Sequence, residues 1–326
     1  WPDEMTLGLH RVQDLRYGEN PQQRAAFYEL VRPGRSASGL VAARQLQGRP
    51  LSYNNILDAD AAWAVANDFE PVTVAIIKHT NPCGLACAGD ASAASASVLV
   101  AYELALAGDP VAAFGGIVAV NAPVDEALAR RIIERFYEIV LAPVFSAEAL
   151  DVLATKPNLR VLAVPPALGS GLRWRSVVGG MLVQEFDRLS GTEVGQGRVV
   201  SRRAPTDEEW AALAFAWRAV RRIKSNAIVL AQAQAGQIAL VGMGAGQPSR
   251  VASVEIAVQR AGPRAEGSVL ASDAFFPKAD GVQVAARAGV RAVVQPGGSR
   301  GDGEVIAAAD AAGLAMVFTG VRHFLH

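Results

Sequence analysis

Short runs of β-branched and other apolar residues alternate along this chain with alanine-rich amphipathic stretches, a rhythm that predicts layered α/β architecture. Residues 72–77 (VTVAII) read as a buried strand that delivers Lys78 at its carboxyl end, and residues 116–120 as another strand. Residues 91–107 read as a helix stopped by Gly108. Leu128, Ile132, Ile133, Phe136 and Val140 fall at helical spacing, so a helix is expected over 125–140, with Pro143 beyond its end. Periodicity fades between Leu168 and Gly197 amid Gly, Ser and Arg, which suggests a connecting region. Thr206-x-x-Glu209 after Pro205 is a capping box opening a helix, with Trp210, Leu213, Trp217 and Val220 in one stripe. Past Asn226 the alternation resumes through 238–241, 251–260, 282–288, 292–294, 305–312 and 315–318. Each half places a Gly- or Asn-rich turn after a strand and carries an Ala-Phe step (Ala113-Phe114, Ala274-Phe275), a hint of two related α/β units.

At 326 residues the chain fits two domains better than one. Lys plus Arg equal Asp plus Glu, 31 against 31, so no global field draws it to nucleic acid or an anionic membrane. An anionic substrate must then be held by a few placed cations. No apolar run reaches the roughly 18 residues of a membrane span and no basic-then-apolar leader is visible, so a cytoplasmic protein is expected. Cys83 and Cys87 are the only cysteines, which suits a reducing compartment better than a disulfide scaffold. Trp1 stands where translation would place methionine, so a piece of a longer chain is expected.

The sharpest local feature is Lys78-His79-Thr80-Asn81-Pro82-Cys83-Gly84 at a strand end, where α/β sheets bind ligands. Lysine beside histidine offers a cation for a developing oxyanion and an imidazole for proton transfer, although an isolated pair is more often a solvated loop. Pro82-Cys83-x-x-x-Cys87 resembles the P-C-x-x-C of zinc deaminases with one residue too many, and no H-x-E occurs. Small buried hydrophobes are the better reading of these cysteines, and no zinc is expected. Gly242-Met-Gly244-Ala-Gly246 after a strand, and Gln295-Pro-Gly-Gly-Ser299-Arg300 before a helix, are turns that suit close approach of a phosphate or ring. Arg16-Tyr17, Arg250 and Arg322 are candidate anion clamps.

Nine collinear motifs carry a resemblance over nearly the whole chain. They are Leu15 to Pro21 (LRYGENP), Leu51 to Asp58 (LSYNNILD), Ile77 to Gly84, Asp109 to Gly116 (DPVAAFGG), and Lys224-Ser225-Asn226. Gly244 to Val251, Ser272 to Pro277 (SDAFFP), Gln295 to Ser299, and the ending Arg322-His323-Phe324-Leu325-His326 complete the set. In this order they resemble the AICAR transformylase family, the half of a bifunctional purine-biosynthesis protein that also carries IMP cyclohydrolase. The cyclohydrolase half would precede residue 1.

The resemblance implies two cytidine-deaminase-like α/β/α subdomains joined by a helical connector, with boundaries expected at 1–196, 197–225 and 226–326. It implies formyl transfer from 10-formyltetrahydrofolate to the 5-amino group of AICAR by a homodimer whose active sites use both chains. Lys78 and His79 match the family's catalytic pair, and Asn226 an asparagine that orients substrate beside them. Arg16, Tyr17 and Arg322 match nucleotide-phosphate contacts. Asn55, Gly115, Glu138, Arg250, Phe275 and Pro277 match residues lining ribose, carboxamide or folate, and Asp273 one near a potassium site of some relatives. Gln22 stands where histidine is usual and Lys278 where an aromatic is common, which puts the phosphate-site packing and the folate wall in question. Two other readings stay open. A zinc hydrolase on the same fold would be separated by metal analysis, and a silent nucleotide- or folate-binding module is opposed by the presence of both Lys78 and His79.

Overall fold

The apolar runs come together in the computed structural model as one twelve-stranded mixed sheet with helices on both faces. The structure describes residues 1–31, 34, 38–88, 94–165, 171–188 and 192–326. A hairpin of β1 (Leu9–Leu15) and β2 (Ala25–Leu30) stands apart from the main sheet. The first half then runs β3 (Arg44–Gln47), α1 (Tyr53–Ala66), β4 (Thr73–Lys78), β5 (Asn81–Ala88), α2 (Ala94–Gly108) and β6 (Ile117–Val120). It closes with α3 (Glu126–Ile133), β7 (Ile139–Ala142), α4 (Ala147–Ala154) and β8 (Arg160–Ala163). A second separate hairpin, β9 (Leu172–Val177) and β10 (Gly180–Glu185), and the short β11 (Arg198–Val199) lead to the second half. That half is α5 (Asp207–Val220), β12 (Ile228–Gln234), β13 (Gln237–Gly244), α6 (Arg250–Ala261), β14 (Val269–Ser272), α7 (Asp280–Arg287), β15 (Ala292–Gln295), α8 (Asp302–Ala311) and β16 (Ala315–Phe318).

The two halves repeat one topology. β4 pairs antiparallel with β5 and β6, after which β6, β7 and β8 run parallel. β12 pairs antiparallel with β13 and β14, after which β14, β15 and β16 run parallel. The repeats join where β13 meets β5, Gln237 opposite Ala88 and Ala239 opposite Ala86. Strand alternation splits the core: Ala75 and Ile77 belong to the layer under α1 and α5, Val74 and Ile76 to the layer under α2, α3 and α4. The layer under α1 and α5 is continuous across both repeats. The capping-box helix α5 therefore packs on β12 and β14 as α1 packs on β4 and β6.

Three expectations change. The helix over 125–140 ends at Ile133, and Ile139–Ala142 is a fully buried parallel strand. Val140 shared the helical spacing by coincidence, and the break falls at residues 134–138, where Phe136 is half exposed. The helix expected from residue 91 is seen from Ala94, residues 91–93 lying outside the described ones, and it includes Gly108. The stretch read as a connection contains the β9–β10 hairpin; its residues 168–170 and 189–191 lie outside the described set. Among the described residues no helix is long and apolar enough to cross a membrane.

Candidate functional site

Lys78 ends β4, and a two-residue turn returns the chain into β5. Both turn residues sit in the left-handed region, His79 at φ 51° and Thr80 at φ 62°, as tight hairpins require. A β-branched residue pays a steric penalty there, and strain of this kind concentrates at functional sites. The turn is braced by Asp58 of α1, whose Oδ1 accepts from the Thr80 N–H at 2.7 Å, and by Asn81 Nδ2 donating to the His79 carbonyl at 2.9 Å. The His79 side chain is left exposed. In the second repeat the matching turn is Ala235 (φ 51°) and Gly236 (φ 76°), without chemistry.

Lys78 is half-buried, and its ammonium donates to the carbonyls of Phe114 (3.1 Å) and Gly115 (2.9 Å). Two of its three N–H groups are thereby used and one remains for a ligand. Gly115 has φ 67°, which favours glycine, and a Cβ there would come within 3.0 Å of Lys78 Nζ and displace the ammonium. Its N–H donates to Phe136, whose ring lies 5.3 Å from the exposed Phe114 ring. Glu138 immediately precedes β7 and pairs with Arg160 at 2.6 Å. Lys78, His79, Gly115 and Glu138 are thus drawn to one end of the sheet by β4, β6 and β7, together with Phe114, Phe136, Asp58 and Arg160. The latter four were not among the candidate site residues. Only Asp58 and Phe114 lay inside a motif; Phe136 and Arg160 carry no local signal.

A second cluster forms at the start of β12. Arg250, buried at the start of α6, donates to Asn226 Oδ1 (2.6 Å), Ser272 Oγ (2.7 Å) and the Asp273 carboxylate. Asn226 Nδ2 donates to the Gln247 carbonyl at 2.8 Å. Arg250 is therefore a buried organiser of Asn226, not a free clamp. Asp273 Oδ2 is buried without a hydrogen-bond partner. Phe275 and Pro277 are exposed just beyond, while Phe276 is buried with its N–H on Gln295 Oε1. Register places this cluster and Lys78 at the same end of the sheet, since Ile228 pairs Gly244, Lys78 pairs Asn81, and β13 and β5 are antiparallel. In one chain they stand three strand spacings apart, about 14 Å at the usual separation.

The remaining candidates are spread out. Arg16 is exposed after β1, its guanidinium 5.7 Å from the Tyr17 ring centre, and the loop touches α1 through Asn54 and the Glu19 carbonyl at 3.2 Å. Asn55 completes a capping box on α1, its Oδ1 accepting from the Ser52 N–H at 3.1 Å. Arg322 is exposed near the chain end, 4.4 Å over the Phe324 ring.

Both glycine-rich turns have structural employment. Gly242 and Gly244 lie within β13, and a Cβ on either would collide with a backbone carbonyl of α6, at Ala257 or Ser253. The amides of Gly298 and Ser299 already donate to the Asp302 carboxylate at 2.7 and 3.1 Å. The thiols are buried too: Cys83 Sγ donates to the Ile76 carbonyl, Cys87 Sγ meets Thr73 Oγ1, and burial pushes each up to about 12.

A family model described as AICARFT/IMPCHase bienzyme matches residues 1–260. The chain is 52% identical to the bifunctional purine biosynthesis protein PurH of Sorangium cellulosum and 51% identical to the protein of that name from Desulfitobacterium hafniense. It is 47% identical to that of Halalkalibacterium halodurans. Each match takes in 100% of this chain but 61% of the relative, so the chain spans under two thirds of their length.

Proposed function

Since the chain belongs to the AICARFT/IMPCHase bienzyme family, we propose that it carries the formyl transfer from 10-formyltetrahydrofolate to AICAR. The observation that supports this most is the Lys78–His79 turn: an ammonium fixed by two carbonyls with one N–H free, beside an exposed imidazole. The 5-amino group of AICAR is a weak nucleophile, its lone pair delocalised into the imidazole and carboxamide. Its attack on the formyl carbon makes a tetrahedral alkoxide and must shed an amine proton. His79 accepts that proton, directly or through the neighbouring carboxamide, and Lys78 stabilises the oxyanion or protonates the departing folate nitrogen. Asn226, fixed by Arg250, orients the nucleotide, with Phe275 and Pro277 against the flat rings and Glu138, Asn55 and Gly115 lining the site. Asp273 fits a potassium ligand in one respect, its orphaned buried oxygen. Such a cation would supply a fixed positive charge beside the Arg250 cluster. The direct test is an assay for formylated AICAR with the two substrates; a folded protein without that product would remove the reading.

Arg16, Tyr17 and Arg322 hold the phosphate in this reading. A guanidinium–phosphate contact is made in ground and transition states alike. Arg322→Ala is therefore expected to raise the Michaelis constant for AICAR with a milder change in turnover. An unchanged constant would take Arg322 out of the phosphate site.

The active unit in this reading is a homodimer with shared sites. Support comes from the separation of Lys78 from Asn226 within one chain and from exposed apolar groups in the turn whose Phe114 carbonyl Lys78 bonds, Val111 at 83% and Phe114 at 64% exposure. The interface should bury roughly 2,000 Å² or more. Mixing Lys78→Ala with Asn226→Ala should then restore up to about a quarter of wild-type activity, because each heterodimer holds one intact site. No recovery despite proven subunit exchange, or an active monomer on sedimentation, would refute sharing.

A further inference from the structure

Beyond β16 residues 319–326 form an arm without helix or strand, and one side chain in it is buried. His323 is 1% exposed, whereas Val321, Arg322 and Phe324 beside it are exposed. His323 Nδ1 lies 2.7 Å from Asp187 Oδ2, and its ring packs edge-on against Trp217 of α5 at 5.1 Å. Its backbone N–H donates to the Asp273 carbonyl at 3.0 Å, and the Ser225 N–H donates to the Leu325 carbonyl at 2.9 Å. The arm is thus stitched to the residue before Asn226 and to the acid that shares Arg250 with it.

Asp187 is itself tied down. Arg221, at the end of α5, donates to the Asp187 carbonyl at 2.5 Å and pairs with the buried Asp68 at 2.7 Å. Burial alone would push the Asp187 carboxyl up; the His323 bond and charge, with Arg221 and Arg222, outweigh it and hold the carboxyl below its ordinary range. An irregular arm of mostly exposed side chains without such an anchor is mobile. With it, Arg322 inherits a fixed position.

We propose that His323, held by Asp187, is a positioning residue that fixes Arg322 as the anion arm and secures the Asp273 backbone beside the Asn226–Arg250 cluster. The proposal rests on the reading of Arg322 as a phosphate contact. It acts through Arg322, which distinguishes it from a purely structural role.

His323→Leu removes the bond and keeps the bulk, and is expected to raise the Michaelis constant for AICAR about tenfold while turnover changes by less than about threefold. His323→Asn keeps a donor near the Nδ1 position and should recover most of that loss. In an Arg322→Ala background His323→Leu should add less than about twofold, whereas independent roles would multiply. A readout free of activity is limited tryptic cleavage after the exposed Arg322: His323→Leu and Asp187→Asn should be cut there faster at unchanged melting temperature. Multiplying effects on the Michaelis constant, or digestion at the wild-type rate in both variants, would overturn the proposal. Absence of formyl transfer in the wild-type protein would instead sink the functional reading, and the digestion rates would still decide whether His323 anchors the arm.

Discussion

Lys78→Ala and His79→Ala are each expected to lose on the order of 100-fold or more in turnover while melting as the wild type does. The size follows from what each group would do in the transition state: general acid–base help contributes about 100- to 10,000-fold, and oxyanion stabilisation is often as large. The fold should survive both changes. At His79 the backbone must hold φ 51°, and the second repeat holds the same φ with Ala235, so alanine is acceptable at that turn position. At Lys78 the side chain donates to carbonyls at a partly exposed edge, where water can take over. Steady-state assays with AICAR and 10-formyltetrahydrofolate, beside circular dichroism melts, make the comparison. Near-wild-type turnover in both folded variants would remove the pair from the chemistry.

Gly244→Ala should be the most destabilising single-methyl change in the second repeat. The new Cβ would be driven into the Ser253 carbonyl of α6, with the Ser253 Cα also within 2.9 Å, so backbone must yield. Overpacking usually costs about 1–3 kcal/mol, and a collision with helix backbone belongs at or beyond the upper end. Gly303→Ala is the matched control: it lies exposed in α8 with nothing within 4 Å of the added carbon. There alanine should be neutral or stabilising by up to about 1 kcal/mol. Urea midpoints of the two variants and the parent give the answer. Equal midpoints for Gly244→Ala and the parent would mean that α6 does not pack on β13 this closely.

Gly244 also illustrates how a motif can be read correctly as a close-approach glycine and wrongly as to what approaches. The residue type reports that a Cβ is not tolerated; it does not name the neighbour. The Pro-Gly-Gly-Ser turn is similar, since its amides bind an anion, but the anion is the chain's own Asp302. Arg250 shows the limit for a charged residue. Sequence marks it as a candidate clamp, and only the packing of α6 against β13 and β12 turns it inward onto Asn226, Ser272 and Asp273.

By itself the sequence determined the α/β class, the family, the strand that ends in Lys78, and the α5 capping box. These are local properties: a six-residue apolar run, a Ser/Thr-x-x-Glu pattern and motif order need no knowledge of distant neighbours. The tertiary structure alone decided that residues 134–138 break a helical spacing to begin a parallel strand, because burial against β6 and β8 outweighs periodicity over so few residues. It also decided that α5 takes on the second repeat the place α1 has on the first, and that two repeats share one sheet through β5 and β13. Long-range pairing between residues such as Ala88 and Gln237 set these outcomes, as did the bond from Asp187 to His323 across 136 positions. Contacts of that range depend on which surfaces the completed fold brings together, and no window of the chain encodes them.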